Sequence, residues 1–212
     1  MGKVNTKGER TRSLILDKAV GLFSSKGFNA VTMKDICDET GLSRGGLYRY
    51  YGSTAEIMTE IMEREQEIAD SGSGQNSPAR LDPVKLLDEF IEFHAGFIKS
   101  PIAGLDSAML QFAMSDPNGM LAYKKRISTV SKRIEELIRF GQAKDVFNDG
   151  DPYDMALHIT MTIGGIRNIA FVSGLEYDRK FTQLDFIRKI LLKEEIYKEN
   201  GYGQHEKEGT SG

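Results

Sequence analysis

The sequence predicts an all-α protein, and three observations carry that reading. Apolar residues recur at three- and four-residue spacing in nearly every segment, as one buried helix face requires. Capping residues and glycines stand where such segments begin and end. No Val/Thr-rich run alternates polar and apolar residues between turn signals, so no strand is expected.

The first helix is built on Leu14, Ile15, Ala19, Leu22 and Phe23 and ends at "KGF", with Gly27 just past its last turn. Thr32 caps the second, "MKDICDET", with Asp35 three residues on as a short capping-box partner, and Gly41 ends it. Ser43 caps a third, very short helix, "RGGLYRYY". The fourth, "STAEIMTEIMEREQEIAD", puts Ile57, Ile61 and Ile68 on one side. Residues 71–80, "SGSGQNSPAR", are small and polar and read as a linker. Pro83 stands at the first position of the fifth helix, and Pro101 ends it. "GLDSAMLQFAMSD" follows, then a long charged helix from about Asn118 to Lys144. Asp151 and Pro152 open "ALHITMTIGGIRNIAFVSG", which is apolar nearly all round and expected to be buried on more than one side. The last helix, "TQLDFIRKILLKEEIY", aligns Leu184, Ile187 and Leu191. The expected organisation is a head at 9–69, a body at 80–199 and a disordered tail at 200–212.

A chain of 212 residues with 40% hydrophobic content can bury one large or two small cores. Cys37 is the only cysteine, which excludes an internal disulfide and suits a reducing compartment. The opening "MGKVNTKGERTRSLIL" lacks the apolar core of a secretory signal, and no window approaches about 18 uninterrupted apolar residues. A cytoplasmic protein without a membrane partner is expected. The net charge of −3 is unevenly spread: residues 1–54 hold nine Lys/Arg against five Asp/Glu, and the remainder 19 against 26. A basic head on an acidic body points to an anionic partner at the front.

The second and third helices are joined by "TGLS", a short glycine-bearing turn with the spacing of a helix-turn-helix over about 32–51. In such a unit the second helix lies in the major groove of DNA, its first turn facing bases and its caps facing phosphates. Leu47 and Tyr51, four apart, form the natural inward pair, which leaves Arg44, Tyr48 and Arg49 pointing out. Exposed tyrosines beside arginines can reach phosphate oxygens and the thymine methyl.

These residues carry a resemblance. The run "RSLILDKAVGLFSSKGFNAVTMKDICDETGLSRGGLYRYYGSTAEIM" resembles the DNA-binding domain of the TetR family of transcriptional regulators, from about Glu9 to Ala69. The agreement includes Ala19, Leu22, Phe23, Gly27 and Phe28, the "T-x-x-D-I" opening of the second helix, and "G-L-S-x-G-x-L-Y-x-Y-Y" through the third. The resemblance implies that Thr32 and Ser43 hold phosphates together with backbone N–H groups, and that Arg44 and Gly45 lie nearest the base edges. It implies a phosphate or thymine-methyl contact for Tyr48 and a phosphate contact for Tyr50. Ile36, Leu42, Leu47 and Tyr51 then form the head's core, with Cys37 as packing. Two positions depart from the family: Gly46 offers no side chain where a small one often touches a base, and Thr54 stands where a phosphate-gripping lysine is common. Arg10, Arg12 and Lys34 are the candidates to compensate.

In the body, Phe90, His94 and Phe97 share one helix face, and Met109, Phe112 and Met114 lie on the next helix. Adaptable Met and Phe walls suit a largely apolar small-molecule effector, with Arg167 and Asn168 as polar anchors. Each of these residues is equally compatible with core filling. Gly164 and Gly165 allow close helix approach, and the last two long helices are the candidate homodimer surface. His94, His158 and His205 are dispersed, and neither a phosphate loop nor a nucleophile elbow occurs, so no enzyme, metal or cofactor is expected. The expected function is a dimeric repressor on a palindromic double-stranded DNA operator, released by an effector. The alternatives are a ligand-independent regulator or activator on the same scaffold, or an enzyme with an accessory DNA-binding head.

Overall fold

Local capping chemistry fixes most helix starts, and the side chains then decide which helices share a core. The computed structural model describes residues 6–72, 82–173 and 180–202. Among these residues lie ten helices: α1 (Lys7–Lys26), α2 (Met33–Thr40), α3 (Arg44–Tyr48), α4 (Thr54–Gly72), α5 (Pro83–Ile98), α6 (Leu105–Ser115), α7 (Pro117–Ala143), α8 (Pro152–Ser173), α9 (Lys180–Leu191) and α10 (Glu194–Glu199). The fold is all-α, and the described residues contain no strand, only an isolated bridge between Phe147 and Leu192. The expected caps hold at Thr32, with Asp35, and at Ser43, which accepts from the Gly46 N–H; Pro83 opens α5 as expected, and Asp82 caps it. The Asp151 carboxylate likewise accepts from the N–H groups of Tyr153 and Asp154. Most of the linker predicted at 71–80 falls outside the described residues, although Ser71 and Gly72 still belong to α4.

The chain forms two compact units, and they cut across chain order. The first takes α1–α4 and, from further along, Ser100–Arg126, which brings in α6 and the start of α7. Its core joins Ile15, Leu16, Ala19 and Phe23 of α1 to Ile36, Leu47, Ile57 and Met58. Leu14, expected on that buried face, points to solvent, and Leu16 takes its place. α6 closes this core with Leu105, Ala108, Met109 and Phe112. The Phe28 ring stands between Phe23 and Phe112, at 5.7 and 4.7 Å. Gly27, at φ +78°, lies where any side chain would collide with the Gln111 amide, 2.7 Å from its would-be Cβ. The Gln111 carbonyl oxygen also accepts from the Asn29 N–H. Arg126 of α7 then ties α6 to α4, bonding Asp106 at 3.0 Å and Glu65 at 3.1 Å.

α3 is held from behind by a three-residue cluster. The Arg12 guanidinium forks onto the Glu60 carboxylate at 2.8 and 2.5 Å, and the buried Tyr51 hydroxyl donates to the same carboxylate at 2.9 Å. Arg12 also lies over the Tyr51 ring, at 5.2 Å. The bonds from Arg12, and then that from Tyr51, hold the Glu60 carboxyl below its usual range, while burial and then the Glu60 bond push the Tyr51 phenol well above its own.

The second unit packs α5, the rest of α7, α8, α9 and α10 around Leu87, Ile91, Ile138, Phe147, Ile159, Ile163, Leu184, Ile187 and Leu191. Three expectations are corrected here. The single last helix is broken at Leu192–Lys193, because Asn148 competes for its end: the Asn148 amide donates to the carbonyls of Ile190 and Leu192, and its backbone N–H to that of Leu191. Residues 200–202, assigned to a disordered tail, are ordered: the Tyr202 hydroxyl donates to Asp88 at 2.6 Å, beside the Arg188–Asp88 ion pair. The remaining tail residues lie outside the described set. Third, α8 is buried on one side only, through Ala156, Ile159, Ile163 and Arg167. Its opposite side exposes Met161 (65%), Ile169 and Val172 (78%). With a window of mean hydropathy 1.3, α8 is long and apolar enough by composition to cross a bilayer, although His158, Arg167 and Asn168 interrupt its apolar run. Its buried face nonetheless belongs to the core of this unit.

Two outcomes follow for stability. Phe112→Ala should destabilise the first unit by about 3–5 kcal/mol, read by urea unfolding, because Phe28 and α1 cannot close over the lost ring. Glu60 lies below its unfolded pKa, so its contribution is present above about pH 4.5 and fades as pH falls through its folded value. Glu60→Gln should therefore be less stable than wild type at neutral pH, with the gap narrowing in unfolding curves taken toward pH 3. A gap that does not change with pH would remove the carboxylate from this role.

Candidate nucleic-acid interface

The turn between α2 and α3 is made by Gly41, which takes the left-handed conformation at φ +71° and returns its N–H to the Cys37 carbonyl. α3 begins immediately after it. Leu47 is fully buried and Tyr51 nearly so, which fixes the rotation of this helix. Ser43, Arg44, Gly45, Tyr48 (44%) and Arg49 are exposed on the other side, and Gly46 and Tyr50 are half-buried. The Arg44 guanidinium lies 5.4 Å over the Tyr48 ring, one turn on, so the two side chains form one cationic and aromatic ridge.

The two glycines differ. A Cβ on Gly45 would meet nothing within 4 Å, so its bare backbone faces open space. A Cβ on Gly46 would come 3.2 Å from the Ser43 hydroxyl oxygen and crowd the cap. The helix cost of about 1 kcal/mol per glycine therefore has a local packing reason at 46 and none at 45.

At the start of α2, Thr32 is exposed, but its hydroxyl and backbone N–H both donate to Asp35, which also pairs with Lys26 at 2.9 Å. The Thr32 bonds and then Lys26 hold the Asp35 carboxyl well below its usual range. The Asp35 carboxylate thus already occupies this helix start. Thr54 is the first residue of α4 and half-buried. The cap before it is Ser53, which accepts from the Glu56 N–H at 3.2 Å while Glu56 accepts from the Gly52 N–H at 2.8 Å. Sequence reasoning missed this cap, although the S-x-x-E pattern at 53–56 signals it.

Of the compensating cations, Arg12 is committed to Glu60 and turned away from this role. Lys34 pairs with Asp38 one turn on, a contact between two exposed side chains. Arg10 is exposed.

The predicted effector residues divide between the units. Phe90, His94, Phe97, Arg167 and Asn168 lie on α5 and α8 of the second unit. His94 meets the rings of Phe90 and Phe93 edge-on at 4.6 and 5.2 Å, and Arg167 reaches its Nδ1 at 3.4 Å. The Arg167 guanidinium stacks on Phe97, 3.4 Å from the ring centroid. Phe93, which the sequence reading passed over, belongs to this cluster. Asn168 donates back to the Gly164 carbonyl of its own helix. Met109 and Phe112 instead serve as fully buried core of the first unit, on the face of α6 turned to α1. Among the described residues, no group of three or more His, Cys, Asp or Glu is placed to hold a metal ion.

Comparison with known proteins bears on the same segment. Residues 15–61 match the model of the family described as bacterial regulatory proteins, tetR family. Over 55 residues the chain is 44% identical to the uncharacterised HTH-type transcriptional regulator YfiR of Bacillus subtilis, which is 26% of this chain and 27% of that one. Over 76 residues it is 37% identical to the HTH-type transcriptional repressor KstR of Rhodococcus jostii, 36% of this chain and 35% of that one. The matched stretches thus span about a quarter to a third of those relatives. A structure of a putative transcriptional regulator from Saccharomonospora viridis, in complex with choline, superposes with a TM-score of 0.74 over 87% of this chain and 98% of the other, at 21% identity. That likeness extends the shared fold well beyond residues 15–61. Residues 15–61 thus form a domain of the bacterial regulatory proteins, tetR family.

Proposed function

We propose that the chain is a transcriptional regulator that binds a palindromic double-stranded DNA operator as a homodimer, acts as a repressor, and leaves the operator when a small molecule binds its second unit. The observation that carries the reading is the outer side of α3: Ser43, Arg44, Gly45, Tyr48 and Arg49 stand exposed on a helix whose opposite side is locked into the core. The width of the major groove accepts such a helix, with Arg44 and Gly45 toward the base edges. Ser43, Tyr50 and the backbone at the helix start take phosphates, as does Tyr48 where it does not meet a thymine methyl. Thr32 plays a lesser part, because Asp35 stands at the same helix start. With no lysine at position 54, the grip rests more on Arg44, Arg49 and Arg10. The work is done on the chromosome, in the cytoplasm.

One helix-turn-helix covers too few base pairs for good specificity, and pairing two copies doubles the site. The exposed stripe of α8, Met161, Gly165, Ile169 and Val172, supports such pairing, since it is apolar, runs at helical spacing and opens onto empty space at Gly165. Phe186 of α9 adds to the same apolar surface. Two copies joined through α8 and α9 make a four-helix bundle. An effector held between α5 and α8 would act by favouring a conformer whose two heads no longer match successive grooves, to the extent of its differential affinity.

Tyr48→Ala should abolish operator binding in a gel-shift titration on DNA selected from random sequence, while circular dichroism and the dimer are unchanged; unchanged affinity would sink the assignment of α3. Gly45→Ala should raise stability by up to about 1 kcal/mol and still weaken DNA binding, because the added methyl meets nothing but the partner. Thr54→Lys should steepen the slope of log K against log salt by about 0.9 per protomer. Met161→Glu should give a monomer by analytical ultracentrifugation with loss of operator affinity.

A further inference from the structure

The outer side of α3 carries few side chains that can address a base, and ion pairing nearby narrows them further. In the first unit, Lys18, Lys26 and Lys34 each pair with a carboxylate of α2, and Arg12 pairs with Glu60. Arg44 and Arg49 have no carboxylate partner among the described residues. What the Arg44 guanidinium meets there is the Tyr48 ring, 5.4 Å from its centroid. That contact uses the face of the guanidinium, and the N–H groups in its plane stay available to an acceptor. The rest of the first turn is bare. Gly45 and Gly46 follow Arg44, Leu47 is fully buried, and the Ser43 hydroxyl oxygen accepts from the Gly46 N–H at 3.1 Å as the cap. Arg49 lies about 7.5 Å further along the axis, past the last turn and beside the half-buried Tyr50.

We infer that each operator half-site is specified through one G·C pair, its guanine meeting Arg44 and a thymine on the adjoining pair meeting Tyr48. The other pairs under α3 are only weakly discriminated. The inference rests on the proposal that α3 enters the major groove. Guanine presents two acceptors there, O6 and N7, which two guanidinium N–H groups can meet together. Adenine offers one acceptor beside a donor, so a residue that only donates gains less from it. Stacking on Tyr48 limits the directions open to the guanidinium, and less freedom is lost when both bonds form. The 5.4 Å between guanidinium and ring is less than two base-pair steps of about 3.4 Å, which puts guanine and thymine on neighbouring pairs. Arg49, at the far end of the helix, takes a phosphate and carries no sequence information.

The test uses the full chain and double-stranded DNA selected from random sequence. Wild type should select half-sites with one strongly preferred guanine beside a thymine. Replacing that guanine by 7-deazaguanine, which lacks the N7 acceptor, should weaken binding at least about fivefold in a gel-shift titration. Uracil in place of the thymine removes the methyl and should give a smaller loss. Selection repeated with Arg44→Gln should exchange the guanine for adenine, whose N6 and N7 suit a glutamine amide, with circular dichroism confirming the fold. Arg49→Gln should select the wild-type sequence, with lower affinity and a salt slope shallower by about 0.9 per protomer. If Arg44→Gln selects no sequence, the 7-deazaguanine result on wild type decides the matter alone. A guanine preference that survives Arg44→Gln, or that changes with Arg49→Gln, overturns the inference and leaves the DNA-binding reading standing. Unchanged binding of the 7-deazaguanine site, or several strongly preferred pairs in each half-site, overturns it in the same way. Unchanged binding of the uracil site overturns the thymine assignment. A wild type that selects no sequence overturns the inference and removes support from the DNA-binding reading as well.

Discussion

A helix of five residues cannot hold itself, and everything this chain presents on α3 depends on how that helix is gripped from behind. Nucleating a helical turn is unfavourable, and α3 has barely more than one. Two residues supply its orientation. Complete burial of Leu47 contributes on the order of 1.5–3 kcal/mol and sets which side faces inward. Tyr51 adds a second buried side chain just past the helix and ends in a bond to Glu60, which Arg12 holds in place. The Arg12–Glu60 pair is partly exposed and contributes little by itself, on the order of 0–1 kcal/mol. Its importance is geometric. With Arg12 forked onto Glu60, the carboxylate has one orientation, and the Tyr51 hydroxyl has one place to go. The apolar contacts supply most of the energy and the polar cluster supplies the register.

The same logic explains why α6 belongs with α1 and α4. An amphipathic helix must cover its apolar face, and Leu105, Ala108, Met109 and Phe112 do so against Phe28 and the α1 core. Gly27 removes the side chain that would stand in the way, so the turn after α1 approaches the Gln111 amide closely. Arg126 closes the corner with two carboxylates from different helices, and its own burial makes those partners necessary. The element carrying α3 is therefore larger than a bare helix-turn-helix. α3 stands on a base that includes α6 and the first turns of α7.

What was legible in the sequence was local. Thr32, Ser43, Asp82 and Asp151 announce helix starts because each cap's partner lies two or three residues away. The inward turn of Leu47 and Tyr51 was legible too, since four-residue spacing is enough to pair them. The failures were long-range. Nothing near Leu192 says that Asn148 will take the carbonyls at the end of α9, and the helical pattern runs straight through the break. Arg12 looks like a spare cation until Glu60, 48 residues on, claims it. Met109 and Phe112 show the spacing of a buried stripe, but spacing names a face and not the core that face will join. Tyr202 sits among glycines and polar residues, and its partners Asp88 and Arg188, on helices distant in sequence, distinguish it from the end of the chain.

α8 shows the limit of hydropathy most clearly, because two different demands produce one pattern. Its inward residues, Ala156, Ile159 and Ile163, are apolar because they fill the core. Its outward residues, Met161, Ile169 and Val172, are apolar and yet face solvent in the single chain. Position 165 lies two residues from position 163, some 200° around the helix, so the two stripes stand back to back. A helix apolar all round is ordinarily read as surrounded by its own chain. Here its own chain covers one side only, and in the proposed dimer a second copy covers the other. Arg167 falls on the core side of that division, four residues beyond Ile163. A charge on the outer stripe would oppose pairing, whereas a charge on the inner one leaves pairing untouched. The single chain thus supports two separable roles on one helix, an apolar surface outward and a charged, aromatic-lined cluster inward. Substitutions on one stripe can be expected to spare the function of the other.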